Sequence, residues 1–390
     1  MEDIVVLSAV RTPIGAFMGS LSSLTAPQLG AVAIRAALER AGIQPGDPDE
    51  VLMGNVLSAG IGQAPARQAA LGAGMPNSVP CTTINKVCGS GMKAAMMAAQ
   101  AIRAGDASLV VAGGLESMSN APYLLDKARS GYRLGNGTII DCMVHDGLWD
   151  PYNNVHMGNC GDLCAREEGF SREELDDFSA ESFRRAQTAA DKHAEEIAPV
   201  EIPQRKGDPI VVSGDESPSK GGNREKLGGL RPAFDKEGVT TAGNASSIND
   251  GGAAMVIASA SKAPELGATP LGTIVGYAQH AQDPQWFTTA PAYAIEKLLA
   301  KHGLSVGDIS LFEVNEAFAV VAMAVAKRVG IPHEKLNVNG GAVSLGHPIG
   351  MTGARLIITA LHELRRRGGG YAVCTPCIGG GEATAVLVKV

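Results

Sequence analysis

A layered α/β fold, built as two similar halves around a large insertion, is what this sequence predicts. Three observations point to it. Strand-like and helix-like segments alternate in both end thirds, a faint repeat links those thirds, and the stretch between them is richer in charge, Gly and Pro. Such alternation argues for sheets covered by helices. The 390 residues exceed what one ordinary domain needs, and the 45% hydrophobic content is ample for a well-buried core. Aromatics are only 4% while Gly reaches 49 residues, which suits close backbone approaches and tight turns.

The elements follow in order. Ile4–Ala9 reads as a strand, and Pro27–Ala41 has helical spacing that stops at Gly42. Val51–Val56 is a strand candidate. Ser90–Ala104, rich in Ala and Met and ended by Gly105, reads as a buried helix, and Leu109–Ala112 as a short buried strand. In the last third, Tyr293–Lys301 is helical and stops at Gly303, Leu311–Val314 is a strand, and Ala317–Val329 and Gly353–Arg367 are helices. Tyr371–Val390 reads as two strands around a Gly turn. The segments LERAGIQPGD (Leu38 to Asp47) and LAKHGLSVGD (Leu299 to Asp308) share four residues in ten, with Gly42 and Gly46 each 261 residues before Gly303 and Gly307. GSGMKAA (Gly89 to Ala95) and GMTGARL (Gly350 to Leu356) each open a helix after a Gly-rich turn. Such self-similarity predicts a duplicated fold. Between Asn120 and Asn249 only Arg172–Glu196 is a clear helix, opened by a capping box of Ser171 and Glu174. The expected division is residues 1–119 with 250–270 as one half, 120–249 as the insertion, and 271–390 as the other half.

Charge and cysteine usage exclude several function classes. The formal charge is −7 and no basic stripe occurs, which argues against a nucleic-acid binder and requires any anionic ligand to be held by a local cluster. No apolar run approaches the length of a membrane span. Met1-Glu2-Asp3 lead straight into the apolar Ile4–Leu7 run without the basic region of a signal peptide, and Leu387–Val390 carries no targeting address. Seven cysteines, an odd and scattered set, argue against a disulfide framework; a reduced, cytoplasmic chain is expected.

Five segments carry candidate chemistry. In NKVCGSG (Asn85 to Gly91), Cys88 stands between an extended segment and a long helix. A thiol at a helix N-terminus feels the positive end of the dipole, which favours its thiolate, and neighbouring N–H groups can hold an oxyanion. A buried, inert thiol is the commoner fate of a free Cys; the context favours a nucleophile. In GGAVSLGHPIGMTGAR (Gly340 to Arg355), His347 lies in a Gly-rich loop before a helix, where a neutral imidazole can take a thiol proton. Standing alone, that segment would read as a solvated loop His. CTPCIGGG (Cys374 to Gly381) has CxxC spacing, but no second CxxC and no thioredoxin-type βαβ unit accompany it. Cys377, before three glycines, suits an acid/base thiol beside a nest of N–H groups, and Cys374 a strand residue. In EVNEAFA (Glu313 to Ala319), Asn315 is either a helix cap or an amide that orients a water or carbonyl. HMG (His156 to Gly158) lies in the insertion and alone means little.

Together these segments resemble the thiolase family, as do GGLESMSNAPY (Gly113 to Tyr123) and NASSINDGGAA (Asn244 to Ala254). The resemblance runs from SAVRTPIGAF (Ser8 to Phe17) to the last strand. It implies a duplicated five-layer α/β/α/β/α fold whose inserted loop domain covers coenzyme A. It implies that Cys88 is the acylated nucleophile, that His347 activates it, and that Cys377 exchanges the α-proton of the second acyl group. Asn315 would hold a water that, with His347, forms one oxyanion hole; the N–H groups of Cys88 and Gly379 would form the other. Ser246 matches a pantetheine contact and Phe318 a substrate contact, and His156-Met157 resembles the short-chain branch, in which this pair narrows the acyl pocket.

The implied activity is acetyl-CoA C-acetyltransfer, with acetyl-CoA, acetoacetyl-CoA and CoA as substrates and no cofactor or metal. A broader-chain 3-oxoacyl-CoA thiolase and a catalytically silent acyl-CoA carrier on the same fold are the alternatives. A ketosynthase fits less well, because the last member of the set here is Cys377 rather than His or Asn. The chain departs from the family pattern at NCGDLCA (Asn159 to Ala165), and at Ser219, where an Arg often stacks on the adenine; Lys220 or Arg224 are the substitutes. Cys160 and Cys164, at i, i+4 spacing, are expected to pack rather than bind metal. A homotetramer is expected, with Asp126–Asn136, carrying Lys127, Arg129 and Arg133, as its arm.

Overall fold

The computed structural model of the chain describes residues 2–390; Met1, where the expected leaderless start begins, lies outside them. The chain opens with strand β1 (Ile4–Arg11), buried along its whole length. Helix α1 (Ala26–Ala41) starts at a capping box of Thr25 and Gln28 and ends at Gly42, whose φ of 68° closes the C-terminus. There follow β2 (Glu50–Gly54), α2 (Pro65–Gly72), β3 (Cys81–Ile84), α3 (Ser90–Ala104) and β4 (Leu109–Ser117). The insertion carries α4 (Met157–Glu168), α5 (Arg172–Thr188) and α6 (Ala190–Glu196). The second half comprises β5 (Asn249–Ser259), β6 (Gly272–Ala281), α7 (Ala290–His302), β7 (Leu311–Val314), α8 (Ala319–Val329), α9 (Ile349–Arg366), β8 (Tyr371–Thr375) and β9 (Glu382–Lys389).

The strands form one sheet in the order β7-β8-β9-β6-β1-β5-β4-β2-β3. Its two wings have matching topology. In the first, β5 pairs antiparallel with β1 and β4, and β4 parallel with β2. In the second, β9 pairs antiparallel with β6 and β8, and β8 parallel with β7. The wings meet where Ile4, Val5 and Val6 face Ile274, Thr273 and Gly272. The faint sequence repeat is therefore structural: Gly42 and Gly303 end α1 and α7 in the same left-handed conformation.

Three apolar clusters define the layers. One joins α1 and α2 to the outer face of the first wing through Ala33, Ile34, Ala69, Met53 and Val111. A second sets α3 and α9 between the inner faces of both wings, through Met92, Met96, Ile257, Leu356, Ile357 and Val386. A third packs α7 and α8 on the outer face of the second wing, through Ile295, Leu298, Val321, Phe312 and Leu387. The result is the expected α/β/α/β/α sequence of layers.

Several expectations change in detail: α7 starts three residues before Tyr293, β2 ends at Gly54 rather than Val56, and the tail carries a third short strand, Cys377–Ile378. Strand β4 continues to Ser117 rather than stopping at Ala112, because Gly113 and Gly114 let it pass within contact of the Ala253 and Gly350 carbonyls. Helix α9 starts at Ile349, four residues early, with Pro348 as its N-cap. The single helix expected over Arg172–Glu196 breaks at Ala189 into α5 and α6. Helix α4 was not expected; it is capped by the His156 side chain, which accepts from the Gly158 N–H at 3.1 Å. Among the described residues no helix is long and apolar enough to cross a membrane.

Candidate active site

The close crossing of α3 and α9 creates the site. A Cβ on Gly353 would stand 2.6 Å from the Met92 backbone nitrogen, and one on Gly91 would stand 3.0 Å from the Gly350 carbonyl. Only glycine lets the two helix N-termini come this near. Cys88 precedes α3 and His347 precedes α9, so the crossing sets both at one cavity.

The turn before α3 is tightly specified. Asn85 Oδ1 accepts from the Val87 N–H at 3.0 Å, and Ser90 Oγ accepts from the Lys86 N–H at 2.8 Å while donating to the Val87 carbonyl at 2.6 Å. Val87 is held at φ 46°, a left-handed conformation that a β-branched residue adopts only under strain. The turn presents Cys88 to the cavity.

His347 is 4% exposed. Its backbone N–H donates to Asn249 Oδ1 at 2.9 Å, its Nδ1 lies 2.7 Å from Thr352 Oγ1, and its Nε2 lies 3.4 Å from Asn315 Nδ2. Asn315 follows β7 and is fully buried; its N–H donates to the Thr375 carbonyl at 3.0 Å, and its side-chain oxygen has no protein partner. Cys377 follows β8 in a two-residue strand, Cys377–Ile378, paired with β9, and Gly379 comes next.

The insertion closes the other side. The His156 ring stacks on Phe234 with centroids 4.6 Å apart, and Phe318 stands edge-on to Phe234 and Phe287 at 6.0 and 6.4 Å. Met157 is buried opposite Gly379, where an added Cβ would lie 3.6 Å from Met157 Cε. Ser246 Oγ donates to the Ala317 carbonyl at 2.9 Å. Cys88, His347, Gly379, His156, Met157, Ser246 and Phe318 all line one cavity of about 540 Å³, with Met118, Leu148, Phe234 and Ile349 among its apolar walls. Asn315 and Cys377 are buried beside it. Lys220 and Arg224 do not line it: Lys220 Nζ lies 2.6 Å from Glu216 Oε1, and Arg224 pairs with Asp177. Ser219 is exposed nearby, its hydroxyl 3.4 Å from the Glu216 carbonyl.

Electrostatically the site is a set of neutral groups. Burial pushes the Cys88 thiol up to about 11; the N–H groups of Gly379 and of Cys88 itself pull it back, and Glu116 adds to the rise. The N–H groups act in the direction expected of a helix N-terminus, and burial acts against them. Burial, reinforced by Arg355, brings His347 down to about 3. Cys377 is held well above the usual thiol range by burial and by its neighbour Cys88. Burial also lowers His156, in keeping with its place in an aromatic stack. A neutral imidazole that lines the same cavity as a neutral thiol can take its proton as an acyl bond forms, and two N–H groups at that sulfur can hold the resulting oxyanion.

Sequence reasoning missed Thr352, Asn249, Glu116, Phe234 and Phe287. Thr352, Asn249 and Glu116 lie inside segments already singled out, but nothing in the linear pattern shows that Thr352 reaches back to His347. Nor does it show that Glu116 accepts from the N–H groups of Val56, Leu57 and Gly350. Phe234 stands in no motif. Cys160 and Cys164 are buried among the apolar residues around α8, and Cys374 lies in β8. Among the described residues no group of three or more His, Cys, Asp or Glu side chains is arranged to hold a metal ion.

Comparison with known proteins places this geometry. The thiolase N-terminal domain matches residues 4–261 and the thiolase C-terminal domain residues 268–390. The chain is 51% identical to the acetyl-CoA acetyltransferase of Cupriavidus necator over the full length of both. It is 53% identical to acetyl-CoA acetyltransferase 2 of Arabidopsis thaliana, covering all of this chain and 97% of that one. The crystal structure of the Acat5 thiolase from Ascaris suum in complex with coenzyme A is 42% identical, superposes with a TM-score of 0.94 and is covered in full, as is this chain. The Bacillus anthracis acetyl-CoA acetyltransferase is 41% identical with a TM-score of 0.97, over all of this chain and 99% of that one. With both family domains matched in order along a chain that has this fold, the protein belongs to the thiolase family.

Proposed function

We propose that the chain is an acetyl-CoA C-acetyltransferase, which reversibly condenses two acetyl-CoA into acetoacetyl-CoA and CoA by a ping-pong route. The observation that carries this reading is the convergence of Cys88, His347 and Gly379 on a cavity narrowed by His156, Met157 and Phe234. The full-length likeness to acetyl-CoA acetyltransferases supports it.

In the first half-reaction the Cys88 sulfur attacks the thioester carbonyl while His347 takes its proton. The carbonyl oxygen turns towards the N–H groups of Cys88 and Gly379, and CoA leaves as a thiol with the proton from His347. A thioester remains on Cys88. In the second, Cys377 gives its thiol proton to the Nε2 lone pair of His347 and, as the thiolate, removes the α-proton of the incoming acetyl-CoA. The enolate oxygen is held by the Nε2–H that His347 has gained from Cys377 and by a water on Asn315, whose unpartnered oxygen suits that task. The enolate carbon attacks the acyl-Cys88 carbonyl and expels the Cys88 sulfur, which takes the Nε2 proton of His347 and restores the resting thiol and neutral imidazole. Run backwards, a neutral Cys377 thiol protonates the leaving enolate, which fits its raised position. Two thiols and an imidazole supply every proton, so the reading includes no cofactor; the CoA thioesters are substrates.

The same reading takes residues 120–249 as the loop domain over CoA, between halves 1–119 with 250–270 and 271–390. Lys220 and Arg224, outside the acyl cavity, remain its candidates for the nucleotide end. Seven free thiols fit a reducing compartment, the cytoplasm. A tetramer, built as a dimer of dimers, is the proposed assembly.

Thiolysis assays test this. Acetoacetyl-CoA should turn over rapidly and a long-chain 3-oxoacyl-CoA poorly. Cys88→Ala should lose at least about 10⁴-fold in kcat, as removal of a covalent nucleophile does, while still binding CoA by calorimetry. Comparable turnover of the long substrate would make the chain a broad-range thiolase instead. Undiminished turnover in Cys88→Ala would refute the acyl-cysteine route.

A further inference from the structure

We propose that Thr352 is a positioning residue that holds His347 in the tautomer with its hydrogen on Nδ1, leaving the lone pair on Nε2 to take the Cys88 proton. The proposal rests on the acyl-cysteine reading above. A hydroxyl has one proton to give and two lone pairs with which to accept. Thr352 Oγ1 lies 2.8 Å from the Pro348 carbonyl oxygen, which can only accept, and 2.7 Å from His347 Nδ1. Thr352 is the fourth residue after Pro348, the spacing at which a helical Thr habitually donates to the backbone carbonyl one turn back. With its proton on Pro348, the hydroxyl can only accept from the ring, so Nδ1 carries the hydrogen.

The other ring nitrogen agrees. Asn315 Nδ2, a donor, stands 3.4 Å from Nε2, a position that suits a lone pair and opposes an N–H. The reverse tautomer needs the Thr352 proton turned away from Pro348 and the Asn315 amide reversed. It would also leave Nε2 unable to accept a proton. Among the described residues no carboxylate or carbonyl is hydrogen-bonded to Nδ1, so the orientation of this buried ring falls to one neutral hydroxyl. As the Cys88 sulfur bonds to the acyl carbon, its proton passes to Nε2 while the other hydrogen stays on Nδ1, donated to Thr352 Oγ1. As the bond from that carbon to the CoA sulfur breaks, the Nε2 proton passes to the leaving sulfur.

The test uses the full-length enzyme labelled with ¹⁵N-histidine, the His347 signals being assigned by their loss in His347→Asn. At neutral pH the wild type should show a protonated Nδ1 and an unprotonated Nε2. Thr352→Ser, which keeps the hydroxyl, should retain both that signature and near-wild-type kcat. Thr352→Val should show mixed tautomers, with kcat for acetoacetyl-CoA thiolysis down about 10- to 100-fold, the lower range for impaired acid–base catalysis, and an unchanged KM. An Nε2–H signal in the wild type, unchanged kcat in Thr352→Val, or equal losses in Thr352→Ser and Thr352→Val would each overturn the proposal. Should Thr352→Val not fold, the wild-type spectrum and the Ser variant decide. The tautomer is read on the resting enzyme, so it stays separable from the Cys88→Ala test of the acyl-cysteine route.

Discussion

Cys88 sits at the N-terminus of α3, where the helix dipole favours a thiolate, yet burial holds its thiol at about 11 while His347 is brought to about 3. Between those values the resting pair is a thiol and a neutral imidazole, not an ion pair. On the proposed route the proton moves as the acyl bond forms, which suits a reversible reaction because neither direction starts by dismantling a stable thiolate–imidazolium pair. Iodoacetamide alkylation of the Cys88 peptide, followed by mass spectrometry, reads this directly. Because the thiolate is the reactive form, the rate in free enzyme should climb about tenfold per pH unit from neutrality through pH 9. A plateau below pH 8 would mean that Cys88 ionises early and that the ion pair is the resting state. The four residues read as chemistry in the sequence were visible because each stands in or beside a turn at the end of an element: Cys88 and Asn315 between a strand and a helix, His347 before α9, Cys377 between β8 and β9. Their partners were not. The hydrogen bond from His347 to Thr352 depends on a side-chain rotamer, and the link from His347 to Asn249 spans 98 residues.

Between elements, the decisive contact is the crossing of α3 and α9, where glycines replace side chains. Gly353→Ala would set a Cβ 2.6 Å from a backbone nitrogen and 2.8 Å from the Met92 side chain, so the helices must part. Overpacking of this kind costs about 1–3 kcal/mol. A lower denaturation midpoint in urea should therefore accompany a kcat loss, as Cys88 and His347 separate. Full stability in Gly353→Ala would show that the crossing has slack. Most elements were legible because their ends are chemically marked: Ser90–Ala104 by Gly105, α1 by Gly42, α7 by Gly303. The failures share a cause. Helix α4 begins with a His as its cap and carries glycines at 158 and 161, so propensity argues against it; packing against α8 and Phe234 maintains it. The break at Ala189 has no Gly or Pro to announce it. It follows from α6 turning inward, where His193 bonds Glu196 at 3.1 Å and the Asn339 carbonyl at 3.0 Å.

Across the whole molecule, the duplication explains why one cavity can hold two chemistries. Each half delivers a helix N-terminus to the same place, α3 with Cys88 and α9 with His347, and the second half adds the turns after β7 and β8 with Asn315 and Cys377. A four-in-ten repeat was enough to suggest this because glycine caps persist where packing residues have diverged. Apart from the capped helix opened at Ser171, the insertion was legible only as a change of composition, since its internal contacts, such as Phe234 on His156 and Asn244 on Asp176, join residues distant in sequence. One part of it packs on neither half. Tyr123–Leu124 pairs with Ile140–Asp141, closing the base of a loop whose Leu134 is fully exposed and whose Ile139 and Leu125 are 61% and 53% exposed. Apolar side chains gathered on one arm are the kind of surface that protein contacts use. In the proposed tetramer the arm of a second dimer covers them. Leu134→Asp combined with Ile139→Asp puts two carboxylates into such a contact and touches no core residue, so the thermal midpoint measured on the isolated dimer should hold. Sedimentation velocity should then show a particle of half the wild-type mass. A wild-type tetramer that survives both substitutions would move the dimer–dimer contact off this arm, and a wild type that sediments as a dimer would remove the tetramer from the reading.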